Sequence, residues 1–400
     1  MNSRDMAQFP IDAGAHLAKL QSFLTMPRET LPNVTAREAG RYLRGAAERL
    51  GLEFAESAGV APIFTIVPRE PETAVVTLFQ TWHAESAPAG SAAVGGAERL
   101  ALGAAIAGLE AATAALGAEQ ARSPTPFALV VAPSSSSGSH GLGEVLHGRR
   151  EKLGSRGACW IRIVAPSRGP RRRVFLGARG RVVIGLRGGT GNPYRARDTV
   201  VEELRSEAYG PRPLDFELIR KLAAGESAME LLGDASAAAV SGGEAASAED
   251  LLRRAIFDPV GEVVIPPVPH PDRPRAWLTF ETAEAMEAEP IARRIEALSG
   301  GGHAEVVEHF PWDRANLHHP AIHALLQLSK ARADGAEIWP SSPWATPSGV
   351  FTRTLGAGLC EWGVPLPAGT AIRFPKPEEF EALAGEAAEL LARTFAELTR

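Results

Sequence analysis

β-Branched and apolar residues dominate Pro62–Val67, Ala74–Gln80, Phe127–Val131 and Cys159–Val164, and short runs of this kind predict buried strands. An Ala- and Leu-rich stretch, Ala97 to Leu116, predicts a helix between the second and third of them. Upstream, Thr35-Ala36-Arg37-Glu38 has the form of a capping box, with Val34 at the staple position. The helix it opens carries Tyr42, Leu43, Ala46 and Leu50 on one face and is closed by Gly51. After Val164 the pattern changes. Arg173–Leu186 alternates as a strand pair around Gly177 and Gly180, and helical periodicity follows over Asp198–Tyr209 and Leu214–Ala223. Strands at Arg275–Thr282 and Ala304–Phe310 flank a helix at Glu287–Ser299. Ala223–Asp250, rich in Ala, Ser, Gly and Glu, reads as a long loop or insert. A helix from Pro320 and an amphipathic helix over Pro377–Leu398 complete the chain.

The Ala74–Gln80 strand delivers Trp82, His83, Ala84 and Glu85 at its C-terminal end, the place where α/β sheets build their sites. A glycine-bearing stretch, Gly90 to Gly96, then leads into the long helix. The next strand runs straight into Ser134-Ser135-Ser136-Ser137-Gly138-Ser139-His140-Gly141. This order of strand, His-x-acid, glycine turn, helix, strand and polar loop resembles the M20 family of zinc peptidases and aminoacylases, in particular its carnosinase-like dipeptidase branch. The family's His-x-Asp corresponds to His83 and Glu85. Its Glu-Glu-x-Gly-Ser-x-Gly corresponds to Ser135-Ser136-Ser137-Gly138-Ser139-His140-Gly141, with serine in place of both glutamates. A bridging aspartate expected just before the long helix is matched by Leu100. A further ligand aspartate expected near Ala165-Pro166-Ser167, ahead of Gly177–Gly180, has no counterpart. The lid histidine that should precede Asn192-Pro193 is replaced by Gly188-Gly189-Thr190-Gly191, and the last ligand histidine by Ile372.

What the resemblance implies is an α/β protein: a zinc-peptidase-like three-layer α/β/α domain with an inserted smaller α+β lid or dimerisation domain. Residues 1–178 and 312–400 would form the catalytic-type domain and 179–311 the lid, which in the family often mediates a homodimer. Two adjacent divalent cations need a carboxylate bridge and several anionic or imidazole donors, and one His with one Glu does not supply them. Of the missing glutamate pair, one would ligate metal and the other would take the proton from the metal-bound water. Serine does neither at its ordinary acidity. The expectation is therefore a pseudoenzyme whose vestigial site is His83, Glu85, Ser135 and Ser136, with His83 the remnant metal ligand and no cofactor bound. It would act as a binding or scaffolding protein for a protein or peptide-like ligand. The alternative is a divergent zinc-dependent hydrolase or amide-bond-forming enzyme acting on peptide-like substrates through His83 and Glu85.

The charge distribution adds a second signal that the net −5 conceals. Arg149–Arg197 holds 14 Lys and Arg against one acid, Glu151, whereas Asp198–Glu308 holds 10 bases and 22 acids. The basic segment is expected to pair with the acidic one, within a chain or across a dimer, ahead of binding an external anion. Only Trp160, Phe175 and Tyr194 are interleaved with it, which argues against a nucleic-acid stacking groove. Cys159 and Cys360, far apart, suit buried thiols in a reducing compartment. Met1–Pro10 lacks the apolar core of a signal peptide and no run reads as membrane-spanning, so a cytoplasmic location is expected. His318, His319 and His323 have metal-compatible spacing but fall at a helix start, where Pro320 suits the first turn. A nucleophilic serine with His140 or His83 as base and Glu85 as orienter lacks a Gly-x-Ser-x-Gly elbow. Gly185–Gly191 lacks the Lys-Ser/Thr of a phosphate loop.

Overall fold

The computed structural model describes residues 9–25, 32–58, 62–71, 75–82, 92–119, 127–133, 141–153, 159–164, 172–207, 212–225, 247–266, 274–284, 286–331, 335–356, 359–363 and 375–398. The chain divides into two compact units. Unit 1 comprises Met1–Val174, Ala315–Glu337 and Arg353–Arg400; unit 2 comprises Phe175–Arg314 and Ile338–Thr352. Ile338–Thr352, placed by sequence with the C-terminal segment, thus belongs to unit 2.

Unit 1 is built on a mixed sheet. Its strands are β1 (Glu53–Glu56), β2 (Phe64–Val67), β3 (Val76–Trp82), β4 (Phe127–Pro133), β5 (Cys159–Val164) and β14 (Leu359–Gly363). With β6 (Arg172–Phe175) and β13 (Ala336–Trp339) the order is β1-β2-β4-β3-β5-β14-β6-β13. The four strands β4, β3, β5 and β14 run parallel to one another, whereas β2 is antiparallel to β4 and β1 antiparallel to β2. All seven residues of β3 and all seven of β4 are buried, which is why they read as continuous apolar runs: a parallel strand is covered on both faces.

Helices α1 (Ala13–Leu24), α2 (Pro32–Leu50), α3 (Ala92–Glu119), α4 (Leu142–Gly148) and α9 (Pro320–Ala331) join this unit, as does the last helix of the chain, α11 (Pro377–Leu398). The capping box is displaced. The second helix begins at Pro32, so Thr35 lies inside it with its side chain buried, because proline needs no intrahelical partner in the first turn and carries the helix start upstream. α3 is long and apolar enough over Arg99–Gly117 to cross a membrane by length and composition, contrary to the sequence expectation. However, 67% of that window is buried, and Gly108 shows what covers it. A Cβ there would stand 2.5 Å from Ala387 Cβ, 2.8 Å from Ala384 O and 2.9 Å from Ala388 N, so α3 and α11 pack backbone to backbone as core helices.

Unit 2 contains a four-stranded antiparallel sheet, in the order β11 (Gly302–Phe310), β8 (Gly180–Gly188), β10 (Ala276–Thr282), β9 (Val260–Val264). Strict alternation of buried and half-buried residues along β10 marks a sheet with one packed face. On that face Val182, Ile184, Leu186, Leu278 and Phe280 meet Ala196 and Val200 of α5 (Pro193–Glu207) and Ile291, Ala292 and Ile295 of α8 (Ala288–Leu298). A second cluster joins Ile219 and Leu222 of α6 (Pro213–Ala223) to Leu252, Ile256 and Phe257 of α7 (Ala248–Phe257), with Phe175 and Trp339. Of the Ala223–Asp250 insert, 226–246 lies outside the described residues. β9 was not anticipated, since Val260-Gly261-Glu262-Val263-Val264 is too short and too exposed to show an apolar face.

Arg179, which joins β7 (Gly177–Ala178) to β8 and forms a β-bridge with Ala345, is 1% exposed. Its Nη1 donates to Ala255 O at 2.9 Å and Ile256 O at 3.4 Å, and its Nη2 to Asp258 O at 2.5 Å and Glu281 O at 2.9 Å. The guanidinium therefore satisfies the carbonyls at the C-terminus of α7, where a cation also meets the negative end of the helix dipole. Burial pushes its pKa down, with Glu281 and Asp258 opposing that shift.

Candidate functional site

The parallel strands define one edge. Trp82 of β3 pairs with Pro133 of β4, and Gly363 of β14 with Val164 of β5, so the four strands end at the same side of the sheet. β3 also sits where the chain order reverses, with β4 on one flank and β5 on the other, which is the switch point that favours a crevice. Segments 83–91, 134–140, 165–171 and 364–374 leave from this edge. They hold His83, Glu85, Ser135, Ser136, His140, Ala165–Ser167 and Ile372, all of which lie outside the described residues. The register pairs Trp82 with Pro133, the last described residues before the first two of these segments.

Around that edge the described residues give three results. Gly141, closing the Gly138-Ser139-His140-Gly141 frame, has φ +82° immediately before α4, a conformation that a side chain would strain. Leu100 is 3% exposed in the interior of α3, not ahead of it, so it is not the counterpart of a residue that precedes the helix. Sequence alone placed the helix start too late because Ala92-Ala93-Val94-Gly95-Gly96 carries two glycines that weaken the helical signal. With the start at Ala92, only 83–91 separate β3 from α3, and their single acid is Glu85.

In unit 2, Asn192-Pro193 is a helix N-terminus. Asn192 Oδ1 accepts from Tyr194 N at 2.9 Å, and Pro193 is the first residue of α5. The preceding turn is packed against the end of α8. A Cβ on residue 189 would lie 2.5 Å from Ser299 O and 2.7 Å from Gly302 N, and one on residue 191 would lie 2.5 Å from Leu298 O. Neither position has room for an imidazole. The turn is glycine-rich because the backbone approaches so closely.

His319 Nδ1 accepts the N–H of Ala321 at 3.3 Å at the start of α9, a helix-end role. Among the described residues, no group of three or more His, Cys, Asp or Glu is arranged to hold a metal ion. Sequence inspection missed Asp313, which accepts from Ser348 Oγ at 2.6 Å and Thr352 Oγ1 at 3.0 Å. Burial raises its pKa, while the two hydroxyl contacts oppose that rise. The contact spans 35 residues to Ser348, and no local pattern announces it.

The basic segment finds its partners in both directions. Arg181 with Glu281, Arg187 with Glu305, and Arg197 with Asp198 join it to the acidic stretch. Arg149 and Lys152 instead converge on Glu53, Arg172 pairs with Glu386, and Arg173 with Glu337 at 2.9 Å. Arg173 is fully buried and Glu337 8% exposed, whereas the Arg187–Glu305 pair is open to solvent and contributes little.

No protein-family model matches the sequence, and no curated protein matches it. Solved structures match nearly end to end. An M20 family metallo-carboxypeptidase, Sso-CP2 from Sulfolobus solfataricus, superposes with a TM-score of 0.61 at 12% identity, over 94% of this chain and 99% of that one. Human carnosine dipeptidase 1 gives 0.61 at 14% identity over 96% and 97%. The dipeptidase Dug1p from Saccharomyces cerevisiae gives 0.58 at 12% identity over 97% and 96%. The mixed α/β fold of this chain is that of the M20 metallopeptidases.

Proposed function

We propose that this chain, built on the M20 metallopeptidase fold, is a non-catalytic relative that has lost the dinuclear metal site and serves as a binding or scaffolding protein. The observation that carries this proposal is the donor inventory of the strand edge. Across 83–91, 134–140, 165–171 and 364–374, the only His, Cys, Asp or Glu residues are His83, Glu85 and His140. Two adjacent divalent cations demand a shared carboxylate and further anionic donors, and a separate carboxylate must accept the proton from the attacking water. Glu85 cannot fill both roles, and Ser135 and Ser136 fill neither. The packed glycine turn at 188–191 supports the same conclusion, since it denies space at two positions for a histidine that would polarise a substrate carbonyl.

A second reading rests on the same three donors. Three protein ligands plus a water is the arrangement of a catalytic zinc site, so a mononuclear hydrolase of peptide-like substrates is the alternative. Metal analysis separates the two. The purified chain, incubated with zinc, manganese or cobalt and then desalted, is expected to retain no stoichiometric metal and to release no product from dipeptides. S135E/S136E is expected to stay inactive as well, because residues 83–91 still hold no carboxylate besides Glu85. One equivalent of zinc that disappears in His83→Ala would establish the second reading instead.

Unit 2 is the proposed contact of a homodimer. β9 ends its sheet, and Val260, Val264 and Ile265 are 50%, 49% and 48% exposed there, an apolar edge open to pairing. Light scattering is expected to report a dimer for the native chain and a monomer for Val260→Lys/Val264→Lys; a monomeric native chain sinks the proposal. A reducing compartment such as the cytoplasm suits a chain with two cysteines, of which Cys360 is buried.

A further inference from the structure

α1 and α2 enclose a cleft of about 210 Å³ that shares no residue with the strand edge. α2 presents Glu38, Arg41, Tyr42, Gly45 and Arg49 to it, the i, i+3, i+4, i+7, i+11 spacing of one helical face, and α1 contributes Lys19, Ser22 and Phe23. Tyr42 is 8% exposed, and its hydroxyl is buried without a hydrogen-bond partner. Burial raises its pKa, with the Glu110 carboxylate adding to that and Arg49 opposing it, so the group is a neutral O–H donor. A buried donor left unsatisfied is unfavourable, and an acceptor delivered to the cleft would relieve that cost.

The cations are arranged to supply more donors. Arg49 uses Nε and Nη2 on Glu110 Oε1, at 3.1 and 2.7 Å. Its remaining nitrogen, Nη1, is the atom that a Cβ at Gly45 would meet at 3.3 Å, so the missing side chain at 45 leaves Nη1 open to the cleft. Arg41 gives Nη1 to Glu38 at 2.7 Å and keeps 68% of its side chain exposed. Lys19 and Ser22 add an ammonium and a hydroxyl. Glu110 does not line the cleft; it is held by Arg49 and lies 3.7 Å from His16 Nε2. Burial lowers the pKa of His16, against the Glu110 carboxylate and with the Lys19 and Arg49 charges.

Tyr42, Ser22, Lys19, Arg41 and Arg49 thus supply donors against two carboxylates, Glu38 in the cleft lining and Glu110 bound to Arg49. That excess fits an anion with several acceptor oxygens better than a two-oxygen carboxylate. We propose that the cleft between α1 and α2 binds a tetrahedral oxyanion of the phosphate class, either free or as the terminal group of a phosphate ester.

Calorimetric titration of the full chain tests this with inorganic phosphate, phenyl phosphate and acetate. Saturable binding of one phosphate per chain is expected, with acetate at least about tenfold weaker because it lacks the third and fourth oxygens. Tighter binding of phenyl phosphate than of inorganic phosphate identifies an ester as the ligand, and the reverse order identifies the free ion. Tyr42→Phe removes only the donor and is expected to weaken phosphate about tenfold or more. Lys19→Gln is expected to do the same, and Arg150→Gln, an exposed arginine elsewhere in unit 1, to leave binding unchanged. No saturable phosphate binding, acetate binding as tightly as phosphate, or a Tyr42→Phe variant that is correctly folded by circular dichroism and binds like the native chain would each overturn the proposal.

Discussion

Arg179→Met is expected to destabilise unit 2 by about 4 kcal/mol or more, because each buried carbonyl left without a donor costs about 1–3 kcal/mol. Methionine preserves most of the apolar volume of the arginine stem, so the loss reports the hydrogen bonds to Ala255, Ile256, Asp258 and Glu281 rather than a cavity. Hydrogen exchange localises the effect. Amides of α7 and β10 should exchange far faster in the variant, while those of β3 and β4 in unit 1 keep their protection. Arg179→Lys should recover only part of the loss, since a single ammonium does not span four carbonyls that a planar fork reaches together. Native-like protection of α7 in Arg179→Met would mean that the helix end is held by something else.

The second large effect belongs to the edge of the unit 1 sheet. Glu337→Ala is expected to cost about 3–5 kcal/mol, because it leaves Arg173, with no exposed surface, as a buried charge without its carboxylate. The double variant Arg173→Met/Glu337→Leu should be much milder, within about 1–2 kcal/mol of the native chain, since apolar residues of similar volume avoid the cost of desolvating both ions. Urea unfolding of the two single variants and the double variant measures the coupling directly. Additive losses, with the double variant the least stable of the three, would show that the pair is not the source of the effect.

How much of this protein was legible from its residues depended on the range of the forces involved. β3, β4 and the last helix were readable because burial on both faces, or on one stripe, writes itself into every residue of a short segment. β5 and α11 match their sequence bounds at both ends. Helix starts were less readable. α2 begins three residues before the Thr35 box, and α3 begins five residues before Ala97, since a proline and two glycines obscured the onset. Leu100 lies inside this helix with either start, and the structure buries it in the core.

The division of labour between sequence and fold is sharpest at the glycines and arginines. Residue identity alone settled that His83, Glu85 and His140 are the only metal-ligating types on four segments, because the donor capacity of a side chain is a covalent property that no packing alters. Identity also set the buried strands and the polarity of charge along the chain. Tertiary structure alone decided that the strands before those four segments end at one sheet edge, through pairings such as Trp82 with Pro133 that join residues 51 positions apart. It alone decided which arginines of the basic segment meet distant carboxylates, which one caps a helix, and why Gly189 and Gly191 exclude a side chain. Each of these is a contact between residues remote in sequence, and local propensity holds no record of what a folded neighbour will place a few ångströms away.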